Sequence, residues 1–310
     1  MPLKSLRKAI LCKVEVTPGT DVVPAAATDA LLVRNWQFNP LQLNLEQRQM
    51  VLVYFGNDGQ LVAGKYCTFS FEVEMAGAGS AGGVPKYDAA LQACALSATN
   101  NAGVSEVYAP ISSGEKTATF YFYQDGILHK AVYAKGDCTL KFEAGKTPVF
   151  AFSFVALYVA VADSALASPT LTGFTKPLPV NNANTTSMTL DSYAGAFSSF
   201  SLSIGNQMKY RNLVGAEYIV FMDRQSKGSI QMEKPLIGTK DFYTIANAGT
   251  LKAFTITHGT TGGNKVTVAA ANCQLTSVNE SDQDGVAMLG LGLDVLPSSA
   301  GNDEFSITVL

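Results

Sequence analysis

From Thr68 to Met75, Phe69, Phe71, Val73 and Met75 fall on one parity and Thr68, Ser70, Glu72 and Glu74 on the other. That period of two predicts a strand with one face in a core and one toward solvent. Val149 to Ala162 carries Phe150, Phe152, Phe154 and Tyr158 on one parity and Val155, Leu157 and Val159 on the other, which predicts a strand buried on both faces. Ala118 to Leu140 reads as a strand, a tight turn at Asp125-Gly126 and a return strand. A similar stretch, Ala253 to Leu275, follows at an offset of 135 residues. Aligned without a gap, Ala118, Lys130, Ala134, Cys138 and Leu140 fall on Ala253, Lys265, Ala269, Cys273 and Leu275.

The surroundings of the two hairpins repeat as well: strand, loop, strand, helix, hairpin, closing strand. Val84 to Ser97 predicts the first helix, with Pro85 and Asp88 in its first turn and a stripe of Tyr87, Leu91, Cys94 and Ala95. Thr239 to Gly249 predicts the second, with Thr239 as N-cap and Gly249 closing it. Leu289, Leu291, Leu293 and Val295 make the last strand. Glu46 to Gly59 has two readings, a further core strand or a long hairpin that projects an apolar tip into a partner. The division that follows is an N-terminal arm over 1–35, a first module over 36–162, a Pro- and Asn-rich linker over 163–187 and a second module over 188–310. The fold class is mainly β (a β-rich α+β chain): two tandem β-sandwich or partly closed barrel modules, each flanked by one short helix.

Composition narrows the function. The 310 residues are 15% charged with a net charge of −3, too bland for a protein that wraps nucleic acid by neutralising phosphates. The five cysteines form no CxxC, and their odd number precludes a complete disulfide framework; buried small hydrophobes in a reducing compartment is the plain reading. The two histidines, His129 and His258, have no nucleophile or carboxylate at a catalytic spacing and are expected at a surface or interface. Gly259 to Asn264 lacks the Lys-Ser/Thr of a phosphate loop, and Ser281 to Gly285 lacks the later glutamate of a calcium loop. No catalytic, metal or cofactor constellation emerges. The N-terminus lacks the apolar run of a signal peptide, and no apolar stretch reaches the length of a membrane helix.

Glu15–Pro24, EVTPGTDVVP, followed by Ala30–Asn35, ALLVRN, resembles the opening of the major tail proteins of long-tailed, non-contractile bacteriophages. Phe69–Ser97 is similar to theirs too, as a strand, a Gly-rich loop, a proline and a short helix near Ala-Cys. In the second half, SFSLSIGNQMKYRNLVGAE, the pair Asp223-Arg224 and HGTTGGNKVTVAAANCQL extend the likeness over most of the chain.

The resemblance implies a structural virion protein, assembled in the bacterial cytoplasm, that polymerises into stacked rings forming a hollow tail tube for the genome. It implies no enzymatic activity, metal or cofactor, and no membrane. Its partners would be further copies of itself, a tape measure protein, tail terminator and distal tail proteins, and double-stranded DNA in transient, non-specific passage. Single-module members form hexameric rings, so a two-module chain is expected to form a ring of three with pseudo-sixfold symmetry. Thr68, Ser70, Glu72 and Glu74 are the candidate lumen lining, on a wall expected to be net negative so that phosphates slide past. Met50, Leu52, Tyr54, Phe55, Tyr210, Tyr218 and Arg224 are the candidate stacking or intersubunit residues. A non-enzymatic, adhesin-type β-rich binding module is the alternative, against which stand the missing export signal and the unpaired cysteines.

Overall fold

The computed structural model describes residues 2–310. Its strands, in chain order, are β1 (Lys8–Val14), β2 (Ala30–Leu31), β3 (Arg34–Gln47), β4 (Gln60–Glu74), β5 (Leu96–Asn101), β6 (Ser105–Pro110), β7 (Ala118–Gln124), β8 (Ile127–Glu143), β9 (Val149–Tyr158), β10 (Ala162–Asp163), β11 (Thr185–Leu190), β12 (Phe197–Ser203), β13 (Asn206–Leu213), β14 (Ala216–Arg224), β15 (Lys227–Glu233), β16 (Leu251–His258), β17 (Val266–Gln283), β18 (Val286–Val295) and β19 (Ser306–Val309). Two short helices interrupt them, α1 (Asp88–Gln92) and α2 (Phe242–Ala248). The fold is a β-rich sandwich whose sheets do not close into a barrel.

Strand neighbours repeat along the chain. In the first half the order is β3-β4-β9-β8-β7-β1. In the second it is β12-β15-β18-β17-β16-β11. The two halves join where β12 pairs with the end of β8, Phe200 opposite Phe142 and Leu202 opposite Leu140. β8 reaches both neighbours because it changes partner along its length. Its first part pairs with β7, and beyond the bulge at Tyr133, which has a positive φ of 55°, the freed edge receives β12. The result is one continuous run of eight strands, β3-β4-β9-β8-β12-β15-β18-β17. A second seam forms outside it, where β19 lies between β17 and β6.

One hydrophobic core runs through both halves. It takes in Phe69, Phe71, Phe152 and Phe154 from the first and Phe200, Phe254, Leu291 and Leu293 from the second. Apolar side chains on alternate positions of a sheet have only one way out of water, which is burial against another layer. Cys138 and Cys273 sit in this core, and all five cysteines are free and buried; burial pushes the Cys67 and Cys273 thiols up to about 12.

Several details differ from the sequence-based expectation. The first helix is one short turn, not Val84–Ser97, because Ala95 takes a positive φ of 57° and Leu96 begins the β5–β6 hairpin. Asp241, not Thr239, caps the second helix by accepting from the Thr244 N–H, while Gly249 closes it in the left-handed region. β9 buries one face only: Phe150, Phe152 and Phe154 are inside and Ser153 is exposed. The gap-free alignment of the hairpins fails in its first strand. Gln124 pairs with Ile127 across two residues, whereas His258 pairs with Val266 across seven. Lys130 therefore lies in a strand and Lys265 in a turn. Lys8–Val14 of the N-terminal arm is a strand of the first half, paired with β7 along its whole length.

Candidate assembly surfaces

The eight-stranded run turns one face to the core and presents the other outward. Along β4 the outward side chains are Thr68, Ser70, Glu72 and Glu74, as the alternation requires. Ser70 stands opposite Ser153, Ser201 opposite Ser229, and Ser229 opposite Gly292. Hydroxyls and glycines hold these positions, and charged residues share the face, with Lys141 opposite Ser201, Glu143 opposite Ser199 and Lys227 opposite Asp294. Ser201 and Ser229 hydrogen-bond at 2.8 Å, and Gln231 donates to Ser281 at 2.8 Å.

The acidic members are not free. Glu72 accepts from Arg34 Nε at 3.1 Å and Asn35 Nδ2 at 2.7 Å, with Lys141 Nζ at 3.6 Å. Burial raises its carboxyl, but the bonds from Asn35 and Arg34 and the charges of Arg34 and Lys141 outweigh that and hold it below the usual range. Arg34 also reaches Glu74 at 3.9 Å. Around these two carboxylates the wall is close to neutral, because two cations stand against two anions.

The two ends of the run are open. Among the described residues β3 has β4 as its only strand partner, and the outer part of β17, from Ser277 to Gln283, has only β18. Row upon row of unpaired N–H and C=O groups is a template for another strand.

Along the run, β4, β8 and β12 fix which end is which. The loop 48–59 that joins β3 to β4 extends past one end, with Met50, Leu52 and Tyr54 exposed and Val51, Val53 and Phe55 fully so. This geometry is that of a projecting hairpin and not of a core strand. β13 and β14 form a second projecting hairpin at the same end, inserted between β12 and β15, with Leu213 and Val214 exposed at its turn. Neither residue stood out in the sequence, because a two-residue apolar turn leaves no periodic signal.

The other candidate intersubunit residues lie against their own chain. Tyr210 stacks on Tyr66 with centroids 4.9 Å apart, donates to Glu217 at 2.5 Å and accepts from the Lys65 N–H. Tyr218 is half-buried in β14. Arg224 is committed inside the molecule. Its Nε and Nη2 donate to Glu304 Oε1 at 3.1 and 2.7 Å, and Nη1 donates to the Ile111 carbonyl at 2.8 Å. A guanidinium so used holds β14, the β6–β7 loop and the approach to β19 together.

Three anchoring groups escaped the sequence reading. Glu15, only 3% exposed, accepts from Gly19 N and Thr117 Oγ1 at 2.6 Å each, and from Thr119 Oγ1 and Tyr133 N at 2.8 Å each. Gly19 has a positive φ, and a Cβ there would lie 3.0 Å from the Tyr133 ring. Asp21 accepts from Tyr121 Oη and Lys130 Nζ, so the EVTPGTD segment clips the arm onto β7 and β8 twice. Asn206, at the start of β13, donates to the carbonyls of Cys94 and Gly136 at 2.7 and 3.1 Å while its own N–H reaches Asp137. Gly19 apart, the partners lie far away in sequence, so no spacing announces them.

Of the two histidines, only His258 is withdrawn from the surface. His258 is buried, its ring nitrogens bonded to Thr185 Oγ1 and the Leu178 carbonyl, and His129 is half-buried with its ring edge against Phe38. The strap between the halves, residues 164–184, supplies that carbonyl and buries Val180 beside the β8–β9 turn. Among the described residues no three His, Cys, Asp or Glu side chains gather into a metal-binding group. No helix there is long and apolar enough to cross a membrane, which leaves strands out of account.

A continuous sheet with both edges unpaired, carrying apolar tips at one end, is the anatomy of a structural protein that builds on copies of itself. The chain belongs to the phage tail tube protein family, whose model matches residues 5–295. That family is one of structural tail components and not an enzyme class; it places the chain in the tail of a virion and implies self-assembly into the tail tube. A search of curated proteins finds no match.

Proposed function

We propose that three copies of this chain close into a ring, that rings stack into a hollow tube, and that the tube conducts the phage genome into the host. The observation that carries this reading is the internal joint. β12, the first strand of the second half's run, adds to the edge of β8, and the corresponding strands β3 and β17 are left open at the two ends. Repeating that joint between chains is a head-to-tail contact, which makes a ring when the rotation closes. The two halves act as tandem tube modules, so three chains supply six.

Three runs of eight strands make a barrel of twenty-four. Barrels of about 16–18 strands already leave an aqueous channel, so this one has room for a duplex. The hydroxyl-rich face becomes the wall. It offers DNA no ordered array of cations, and Arg34 and Lys141 are held by Glu72, so phosphates find little to bind. Around Glu72 and Glu74 the charges are mutually satisfied, which leaves that part of the wall without a free cation for phosphates. Met50, Leu52, Tyr54 and Phe55, together with Leu213 and Val214, make the contact to the next ring. All project from one end, which gives the tube a polarity. Tape measure, terminator and distal tail proteins then meet the tube inside and at its ends, and assembly takes place in the host cytoplasm.

Native mass measurement of isolated rings, with image symmetry of the tubes, tests the stoichiometry. Three chains per ring are expected; six per ring would overturn the proposal, since forty-eight strands would double the circumference.

A further inference from the structure

The joint inside the chain has an outer part besides the β8–β12 pairing. The Gly-rich loop that follows β4 lies against the turn between β16 and β17. There the Gly79 N–H donates to the Gly263 carbonyl at 2.8 Å, and the Gly77 N–H donates to Asn264 Oδ1 at 3.1 Å. A Cβ on Gly77 would stand 2.2 Å from the Gly263 oxygen, so only bare backbone fits. Beside this contact β6 of the first half pairs with β19 of the second. In the proposed ring, one sixth of a turn carries each piece to the joint between chains. The loop after β4 becomes the loop after β15, residues 234–241, and the β16–β17 turn becomes the Asp125-Gly126 turn of the next copy. β10 takes the place of β19, since it pairs with the first residues of β8 as β19 does with those of β17.

The pieces that arrive there are different. Among the described residues nothing between α2 and β16 corresponds to β5 and β6, so β10 has β8 as its only strand partner. The loop after β15 offers side chains in place of glycines. Leu236 and Ile237 are 79% and 53% exposed, on a turn closed by the Thr239 and Lys240 N–H groups on the Leu236 carbonyl. The lysines on either side are occupied within the chain, Lys234 by Glu280 at 2.7 Å and Lys240 by Asp191 at 2.5 Å. The β7–β8 turn is altered in the same sense. Asp125 accepts from the Lys4 N–H at 2.7 Å and from Arg7 Nη1 at 2.6 Å, which pins the start of the N-terminal arm across the turn. Leu3 then lies against Gly126, 53% exposed, and Leu6 stands 94% exposed. We infer that these two apolar pairs are one contact: Leu236 and Ile237 of one copy seat on Leu3 and Leu6 of the next, on the outside of the ring. The inference rests on the ring reading and adds a side-chain clasp remote from the β3–β17 edge. The occupant is a second copy because the internal joint sets the equivalent loop and turn against each other. Both turns are already held by hydrogen bonds, so the four side chains cover one another with little ordering left to lose.

Leu236→Asp combined with Ile237→Asp leaves the urea midpoint of the dispersed chain unchanged, because both side chains already face water. The concentration at which rings form rises about a hundredfold, roughly tenfold for each aliphatic side chain that is no longer buried. Leu6→Lys alone raises it about tenfold. Added to the Asp pair, Leu6→Lys recovers part of the loss, since the clasp then joins opposite charges. Rings forming from the Asp pair at the wild-type concentration overturn the inference and leave the ring standing. Rings that form normally but no longer stack into tubes also overturn it, and move the loop to the stacking face. A loss that Leu6→Lys deepens separates Leu6 from this loop and overturns it too. Absence of rings in the wild type removes the ring reading itself.

Discussion

Glu15 offers the sharpest test of how the N-terminal segment is held. Each of its oxygens faces one backbone N–H and one hydroxyl: Oε2 takes Gly19 N and Thr117 Oγ1, and Oε1 takes Tyr133 N and Thr119 Oγ1. Hydroxyls can turn to another acceptor, but the two N–H groups are fixed by the chain. In Glu15→Gln the amide NH₂ must replace one oxygen, and whichever way it flips it meets an N–H head-on. One buried donor is then unsatisfied, at about 1–3 kcal/mol, and a charge-assisted bond is lost as well. Roughly 2–4 kcal/mol is expected for Gln. For Ala, which strands both N–H groups, roughly 3–5 kcal/mol is expected, a large share of the ~5–15 kcal/mol typical of a domain. Urea unfolding of the dispersed chain, read as the shift in midpoint at constant slope, measures both. A Gln variant within ~0.5 kcal/mol of the wild type would refute the reasoning, since it would mean that water or a backbone shift serves the stranded N–H at no cost.

Replacing Val51, Val53 and Phe55 together by Asp leaves the urea midpoint within ~0.5 kcal/mol of the wild type, because the three side chains are fully exposed. Negative-stain images then show rings without tubes, whereas full-length tubes would free this tip from any stacking role. Ser153→Lys with Ser229→Lys, both at exposed positions of the polar face, leaves tube assembly intact and slows DNA release in a salt-dependent way; release at the wild-type rate in low salt would place these hydroxyls away from the DNA. They are cleaner probes than Glu72, whose replacement by Lys would set three cations together with Arg34 and Lys141. Burial raises the Asp21 carboxyl, yet the bonds from Tyr121, Lys130 and the Val23 N–H outweigh it and lower the folded value. The contribution of Asp21 is therefore present above the unfolded value of about 3.9 and is lost as pH falls through the lower folded value. The stability gap between wild type and Asp21→Asn is expected to close below about pH 4, and a gap that persists at pH 2 would contradict the charge-based clip.

Local chemistry was legible where neighbours in sequence carry it. The alternation of Thr68–Met75 gave β4 and its outward face. Asp125-Gly126 gave the β7–β8 turn, and Gly249 the end of α2. The repeated order of elements also survives in the strand pairing, even though the gap-free alignment that first suggested it does not. What stayed hidden depends on distant partners. The stripe Tyr87, Leu91, Cys94 and Ala95 is buried as a helix face should be, but Leu96 is claimed by β6 and the helix stops. Nothing near Arg224 points to Glu304, eighty residues on, so a buried staple read as an interface charge. Glu72 looked like a bare acid on a polar face because Arg34 and Lys141 arrive on other strands.

The seam between the halves also bears on the rate of assembly. In the proposed ring half of the six joints, each a β8–β12 pairing backed by the β19–β6 contact and tied by the strap, form within one molecule. They close at the effective concentration a short tether provides, on the millimolar scale, whatever the amount of protein in the cell. Only two encounters are left to diffusion, since the last of the three interchain joints closes within the assembled ring. A ring of separate single modules must gather six bodies before it closes, so its birth depends far more steeply on supply. Fusing two modules into one chain thus converts half of a concentration-dependent process into folding.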